Sequence, residues 1–153
     1  MSAQKQLTDK AKDDTLSAET KDAGDGVKKL CDLKSDVFEK EFGELNTSEV
    51  VITDERVQHI QAHHPVDYSL FEAYGRKTVE YPDIIIRDIK NVGTVFLVLK
   101  LENTNLNTIV RLSVASMDNP NHLNSIMTFY RIRTKNLEKL MAKHKVLYMK
   151  QEE

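Results

Sequence analysis

The segment Val57-Gln58-His59-Ile60-Gln61-Ala62-His63-His64-Pro65 carries three of the chain's five histidines within six residues and ends at a proline. Histidine is the side chain best suited to take and return a proton near neutral pH. On a helix, His59 and His63 stand four residues apart and share a face with Arg56. His64 falls near Val57 and Ile60, on the apolar side. An i, i+4 histidine pair can grip zinc, but a catalytic zinc site needs a third ligand and usually a base. No glutamate follows His59 as in HExxH, and no cysteine is near. The cluster is therefore a metal grip, a set of proton carriers, or solvated histidines beside one core histidine.

A second group of residues lies in Asn124-Ser125-Ile126-Met127-Thr128-Phe129-Tyr130-Arg131-Ile132. Strand alternation sends Met127 and Phe129 to one face and Thr128 and Tyr130 to the other, with Ile126 and Ile132. A mid-strand hydroxyl pair can orient a phosphate, and an aromatic ring can stack a base. It is equally what an exposed strand face looks like. Arg111, between Val110 and Leu112, and Lys100, closing an apolar strand, either guard an edge or neutralise a phosphate. The chain has no acidic cluster for a two-metal nuclease, no GxxxxGK loop and no GxSxG elbow. Histidines, hydroxyls and cations around one cleft suit RNA cleavage without a metal. One histidine takes the 2′-hydroxyl proton, a second group protonates the leaving oxygen, and Arg, Lys and Thr hold the phosphate.

Certain elements must position these residues. Thr53 is a good N-cap, with Asp54 and Glu55 in the first turn, and Pro65 stops the helix near His64. A second short helix is predicted at about 67–76. The period then changes to that of strands: 78–88 around Pro82, 93–101, 107–114 and 125–133, with 117–124 as a loop. A closing helix is predicted over 136–144. The expected architecture is α+β, with N-terminal helices packed on a four-stranded antiparallel sheet and a C-terminal helix.

The 153 residues are 40% hydrophobic and 30% charged, enough for one core. Residues 1–26 are polar and free of aromatics, and read as a flexible tail. Over 27–47, Val27, Leu30, Cys31, Phe38 and Phe42 follow helical spacing and predict a linker or packing helix. Residues 48–150 form the compact domain. The single cysteine, Cys31, allows no internal disulfide, and no segment has the ~20 apolar residues a membrane span needs. A cytoplasmic protein without a membrane partner is expected. The net charge of −2 hides an asymmetry: eight lysines and eleven acids leave −3 over 1–48, whereas fourteen basic residues and thirteen acids leave +1 over 49–153. Seven basic residues stand against Glu138 alone within 124–150, a local patch that attracts phosphates or a solvated face.

In order, "VVITDERVQHIQAHHP", "VEYPDIIIRD", "IVRLSV" and "NSIMTFYRI" resemble the phage- and toxin-associated nucleases of the barnase–EndoU–colicin–RelE class, over about residues 48–148. The pattern falls on His59, on His63-His64-Pro65, on Tyr81-Pro82-Asp83 and on Asn124 to Thr128. Where it has an arginine before the second histidine, this chain has His63, which lacks the permanently charged fork. The resemblance implies helices on a four-stranded antiparallel sheet and cleavage of RNA, often tRNA, with no cofactor or metal. It also implies a cognate inhibitor or immunity protein.

The reading is a metal-independent endoribonuclease of the toxin or mobile-element type. In it His64 and His59 carry protons with His63 in reserve, Thr128 holds the scissile phosphate, Arg111 and Lys100 bind it, and Tyr130 stacks a base. The alternative is a non-catalytic binding or immunity-like protein that keeps the nuclease fold.

Overall fold

The structure, a computed structural model, describes residues 26–151; the tail expected over 1–26 lies outside the described residues except for Gly26. Eleven elements follow one another: β1 (Val27–Asp32), α1 (Val37–Phe42), β2 (Glu49–Thr53), α2 (Asp54–His63), α3 (Pro65–Glu80), β3 (Ile84–Arg87), β4 (Thr94–Lys100), β5 (Asn105–Arg111), β6 (Asn124–Ile132), α4 (Thr134–Lys143) and β7 (Lys145–Met149).

All seven strands join one sheet in the order β1-β2-β6-β5-β4-β3-β7. Every neighbouring pair is antiparallel except β2 and β6, which run parallel. This corrects the expected four-stranded antiparallel sheet: the class is α+β, but the sheet has seven strands and is mixed. The three extra strands had local disguises. In β1 the pairing with β2 slips between Lys29 and Cys31, so one residue bulges out. A bulge shifts the side-chain period, which is how Val27, Leu30 and Cys31 fall at helical spacing inside a strand. Glu49-Val50-Val51-Ile52-Thr53 reads as the approach to α2, and Lys145 to Met149 lies just past the predicted closing helix; both are strands.

The helix boundaries shift too. α3 begins at Pro65, with His64 alone between it and the end of α2, and runs to Glu80, so residues 78–80 are helical rather than the start of a strand. Pro65 does end α2, but its fixed φ and missing N–H suit the first turn of a new helix.

Helices cover both sheet faces. On one face Ile60 of α2, Phe71 and Val79 of α3 and Phe38 of α1 meet Val50, Ile52, Ile85, Leu97, Leu106, Ile126 and Phe129. Phe71 and Phe129 meet edge to face at 5.1 Å between ring centroids, worth about 0.5–1.5 kcal/mol beyond burial. On the other face, Leu137, Leu140 and Met141 of α4 cover Ile84, Ile86, Phe96, Val98 and Ile132. Ile126 is not on the Thr128 face as strict alternation predicts. The β5–β6 register passes from Ile109↔Thr128 to Val110↔Ile126, so Met127 is an extra residue and Ile126 turns to Phe129's side.

Candidate active site

His64 occupies the one residue between two helices. Its N–H donates to the Ile60 carbonyl at 2.8 Å and closes α2, and its own carbonyl accepts the Tyr68 N–H at 2.9 Å and opens α3. Bonds on both sides hold its backbone at φ −140° and ψ 61°. Three residues on, in the first turn of α3, stands Asp67, 5% exposed. The Nδ1 atom of His64 lies 3.6 Å from Asp67 Oδ2, an ion-pair separation rather than a hydrogen bond.

Asp67 also reaches the sheet. β2 pairs with β6 only at Val50↔Asn124 and Val51↔Ser125, and past that point the outer edge of β6 lies against α2 and α3. Asp67 Oδ2 accepts the Arg131 backbone N–H at 3.2 Å, and Oδ1 takes the Arg131 Nε–H. The carboxylate thus fills an edge position that no strand pairs, and it docks the α2–α3 junction onto β6. That docking brings Tyr130 to His64. The two rings lie 6.1 Å apart between centroids and 27° from parallel.

Tyr130 stands on the sheet face that α4 partly covers, in the cross-strand row Val98, Asn107, Tyr130. Asn107 is fully buried, and its Nδ2 donates to the Tyr130 hydroxyl oxygen at 3.1 Å. Thr128 shares this face one row away, opposite Ile109, so about 7 Å of strand separates it from Tyr130. His64, Tyr130 and Thr128 therefore form one neighbourhood, half-buried and open to approach.

The other expected site residues lie elsewhere. His59 and His63 are exposed on α2, with ring centroids 4.4 Å apart. His63 Nδ1 lies 3.1 Å from the His59 carbonyl, so Nδ1 carries the proton in that bond. Arg111 is four residues along β5 from Asn107, about 13 Å of strand. Its guanidinium is occupied: Nη2 and Nη1 reach the two carboxylate oxygens of Asp118 at 2.9 and 3.2 Å, and Nη1 also meets the Leu112 carbonyl. Lys100 closes β4, two strands or about 10 Å from β6, with its backbone N–H donating to Asp83 Oδ2 at 2.7 Å.

The basic stretch 124–150 is not one helix face. Arg131 is held by Asp67, Lys145 by Glu41 at 3.0 Å, and Lys150 lies 4.0 Å from Asp83. Sequence reasoning passed over Asp67 and Asn107, and counted Arg131 only as part of the basic stretch. For Asp67 the signal was an acid two residues after a helix-starting proline; for Asn107 it was an amide in the β-branched run of β5. Asn124, the first residue of the motif around Thr128, is a structural pin. Its amide donates to the Thr47 and Glu49 carbonyls at 2.9 and 2.8 Å, and its Oδ1 accepts the Ser113 N–H at 2.7 Å.

Among the described residues no group of three or more His, Cys, Asp or Glu side chains gathers as a metal site, and no helix is long and apolar enough to cross a membrane. The chain matches no protein-family model, no curated protein and no solved structure.

Proposed function

We propose that this chain is an endoribonuclease of the toxin or mobile-element type that needs no metal, with His64 as general base. The observation that carries the reading is the Asp67 carboxylate facing Nδ1 of His64 while Tyr130 lies against the same ring. A carboxylate on Nδ1 orients the imidazole and stabilises the imidazolium formed when Nε2 accepts a proton. Catalytic contacts of this kind are commonly long before substrate binds and shorten in the complex. Here Nε2 takes the proton of an RNA 2′-hydroxyl, and the 2′-oxygen attacks the adjacent phosphorus as the bond from phosphorus to the 5′-oxygen breaks, which leaves a 2′,3′-cyclic phosphate and a protonated 5′-hydroxyl. Thr128, on the Tyr130 face, hydrogen-bonds the phosphate. His59 and His63 lie tilted against each other at the surface of α2 and take no step. The buried thiol of Cys31 suits a reducing, cytoplasmic setting.

A second reading, a non-catalytic binding or immunity-like protein that keeps the nuclease fold, is favoured by a different observation. Arg111 and Arg131 are both neutralised by carboxylates of the chain itself, Asp118 and Asp67. The test is purified protein on bulk tRNA in excess EDTA, beside His64→Ala. Discrete fragments ending in 2′,3′-cyclic phosphate from the wild type alone support the nuclease. Intact tRNA from folded wild type overturns it, and a gel shift without fragments supports the second reading.

A further inference from the structure

Of the three buried asparagines of the sheet, the two fully buried ones, Asn107 and Asn124, differ in how their amides are used. Asn124 has its donors and its acceptor engaged, as a structural amide does. Asn107 is just as buried, yet its Oδ1 has no hydrogen-bond partner and its one side-chain bond goes to the Tyr130 hydroxyl. An unpaired buried carbonyl costs about 1–3 kcal/mol, so Asn107 is a poor choice for stability at a site flanked by Val98. The Thr108 hydroxyl is also unpaired, but it faces the opposite side of the sheet, between Leu97 and Phe129. What Asn107 does supply is direction. A phenol oxygen that accepts an N–H from one side keeps its own proton to give on another. The ring bearing that hydroxyl lies against His64.

From this geometry, and resting on the nuclease reading above, we infer that Tyr130 is the general acid of the reaction and that Asn107 is its positioning residue. The step balances with what the site holds. His64 Nε2 removes the 2′-hydroxyl proton, the 2′-oxygen forms a bond to phosphorus, and the bond from phosphorus to the 5′-oxygen breaks. The phenolic proton of Tyr130 passes to that 5′-oxygen as it leaves. The imidazolium of His64 then loses its proton and the phenolate regains one, each through water, and the site is reset. The ring of Tyr130 is thereby a proton donor and not only a surface on which a base can stack.

The discriminating experiment compares an ordinary dinucleotide substrate with one whose leaving 5′-oxygen is replaced by sulfur. A thiolate leaves without protonation, because a thiol ionises near 8.5 whereas an alcohol ionises near the roughly 15.7 of water. The variants are Tyr130→Phe, Asn107→Val and His64→Ala. Tyr130→Phe keeps the ring against His64, and Asn107→Val suits a strand and removes the unpaired carbonyl, so its melting temperature should hold or rise. On the oxygen substrate Tyr130→Phe should lower kcat about 10²–10⁴-fold with KM little changed. Asn107→Val should lower kcat by about tenfold or more through misplacement of the hydroxyl. On the sulfur substrate both variants should return to within about threefold of wild type, while His64→Ala stays slow on both. Wild-type kcat retained by Tyr130→Phe on the oxygen substrate, or an equal deficit on both substrates, overturns the acid assignment and leaves the nuclease standing. A wild type that cleaves neither substrate overturns the nuclease and this inference together.

Discussion

The carboxylate of Asp118 grips the guanidinium of Arg111 through both oxygens, at 2.9 and 3.2 Å. The pair turns a residue expected to meet phosphate into the anchor of a loop. Asp118 also accepts the Val114 N–H at 2.8 Å, and Gly93, at φ +87°, packs so close that a Cβ there would lie 2.6 Å from Arg111 Nη1. Arg111→Ala strands a carboxylate that is only 8% exposed and should destabilise the protein by about 1–3 kcal/mol. Denaturant melts measure it. RNA affinity at fixed salt should change little, whereas a phosphate contact would have weakened binding and left stability alone.

Asp67 ties stability and chemistry together. Asp67→Asn keeps the shape and the bond from the Arg131 N–H, but it removes the charge that faces both His64 and the Arg131 guanidinium. If the chain is the proposed nuclease, cleavage of RNA should fall about tenfold or more, and in either case stability should fall by about 1–3 kcal/mol. The reciprocal variant Arg131→Ala should lose stability while keeping most of the rate. Single-turnover rates on folded protein, set beside melts of both variants, distinguish the two contributions.

Four carboxyls held low, those of Asp32, Glu41, Asp88 and Asp118, give the fold a dependence on pH. The Arg87 guanidinium, against partial burial and with Lys145 assisting, holds Glu41 below the usual carboxylate range. Burial pushes Asp118 and Asp88 up. It is outweighed at Asp118 by the Val114 N–H and Arg111, and at Asp88 by the Asn91 side chain, the N–H groups of Lys90 and Asn91, and His144. A depressed folded value means stability that is fully present above the unfolded carboxylate value of about 4 and is lost as pH falls through the folded one. Melting temperature should therefore be flat on this account from neutrality to about pH 5 and drop below about pH 4. Glu41→Gln should flatten part of that drop.

Cys31 should be inert in the folded protein. Burial, first, and then the nearby Glu80 push its thiol up to about 12, so at pH 8 almost none is thiolate. Labelling by a thiol-reactive dye should be slow in buffer and complete in denaturant, and its rate should track global unfolding. Fast labelling in buffer would show that β1 opens locally.

Short-range signals were legible in the chain itself. Thr53 caps α2, accepting the Arg56 N–H at 3.2 Å, as a threonine before Asp-Glu at a helix start should. The break at Pro65 and the β-branched runs of β4, β5 and β6 are equally local, because propensity and periodicity act over a few residues. A single bulge was enough to disguise β1 as a helix, and another sent Ile126 to the face opposite Thr128. The fully buried stretch Ile84-Ile85-Ile86 carries no alternation to say that helices lie on both its sides.

What the residue types determined by themselves is the stock of chemistry: histidines at a helix end, a hydroxyl pair on a strand and scattered cations. Only the tertiary structure decided which of them meet. It paired β2 with β6 across more than seventy residues, set the α2–α3 junction against the edge that β2 leaves open, and so placed His64 beside Tyr130 and Asp67 beside Arg131. It also took Arg111 for Asp118 and left His59 and His63 facing solvent. The physical reason is that a charge or hydroxyl has the same intrinsic chemistry wherever it stands, while its partner is chosen by long-range strand pairing and core packing. Those depend on the whole chain at once and leave no mark in any short window of sequence.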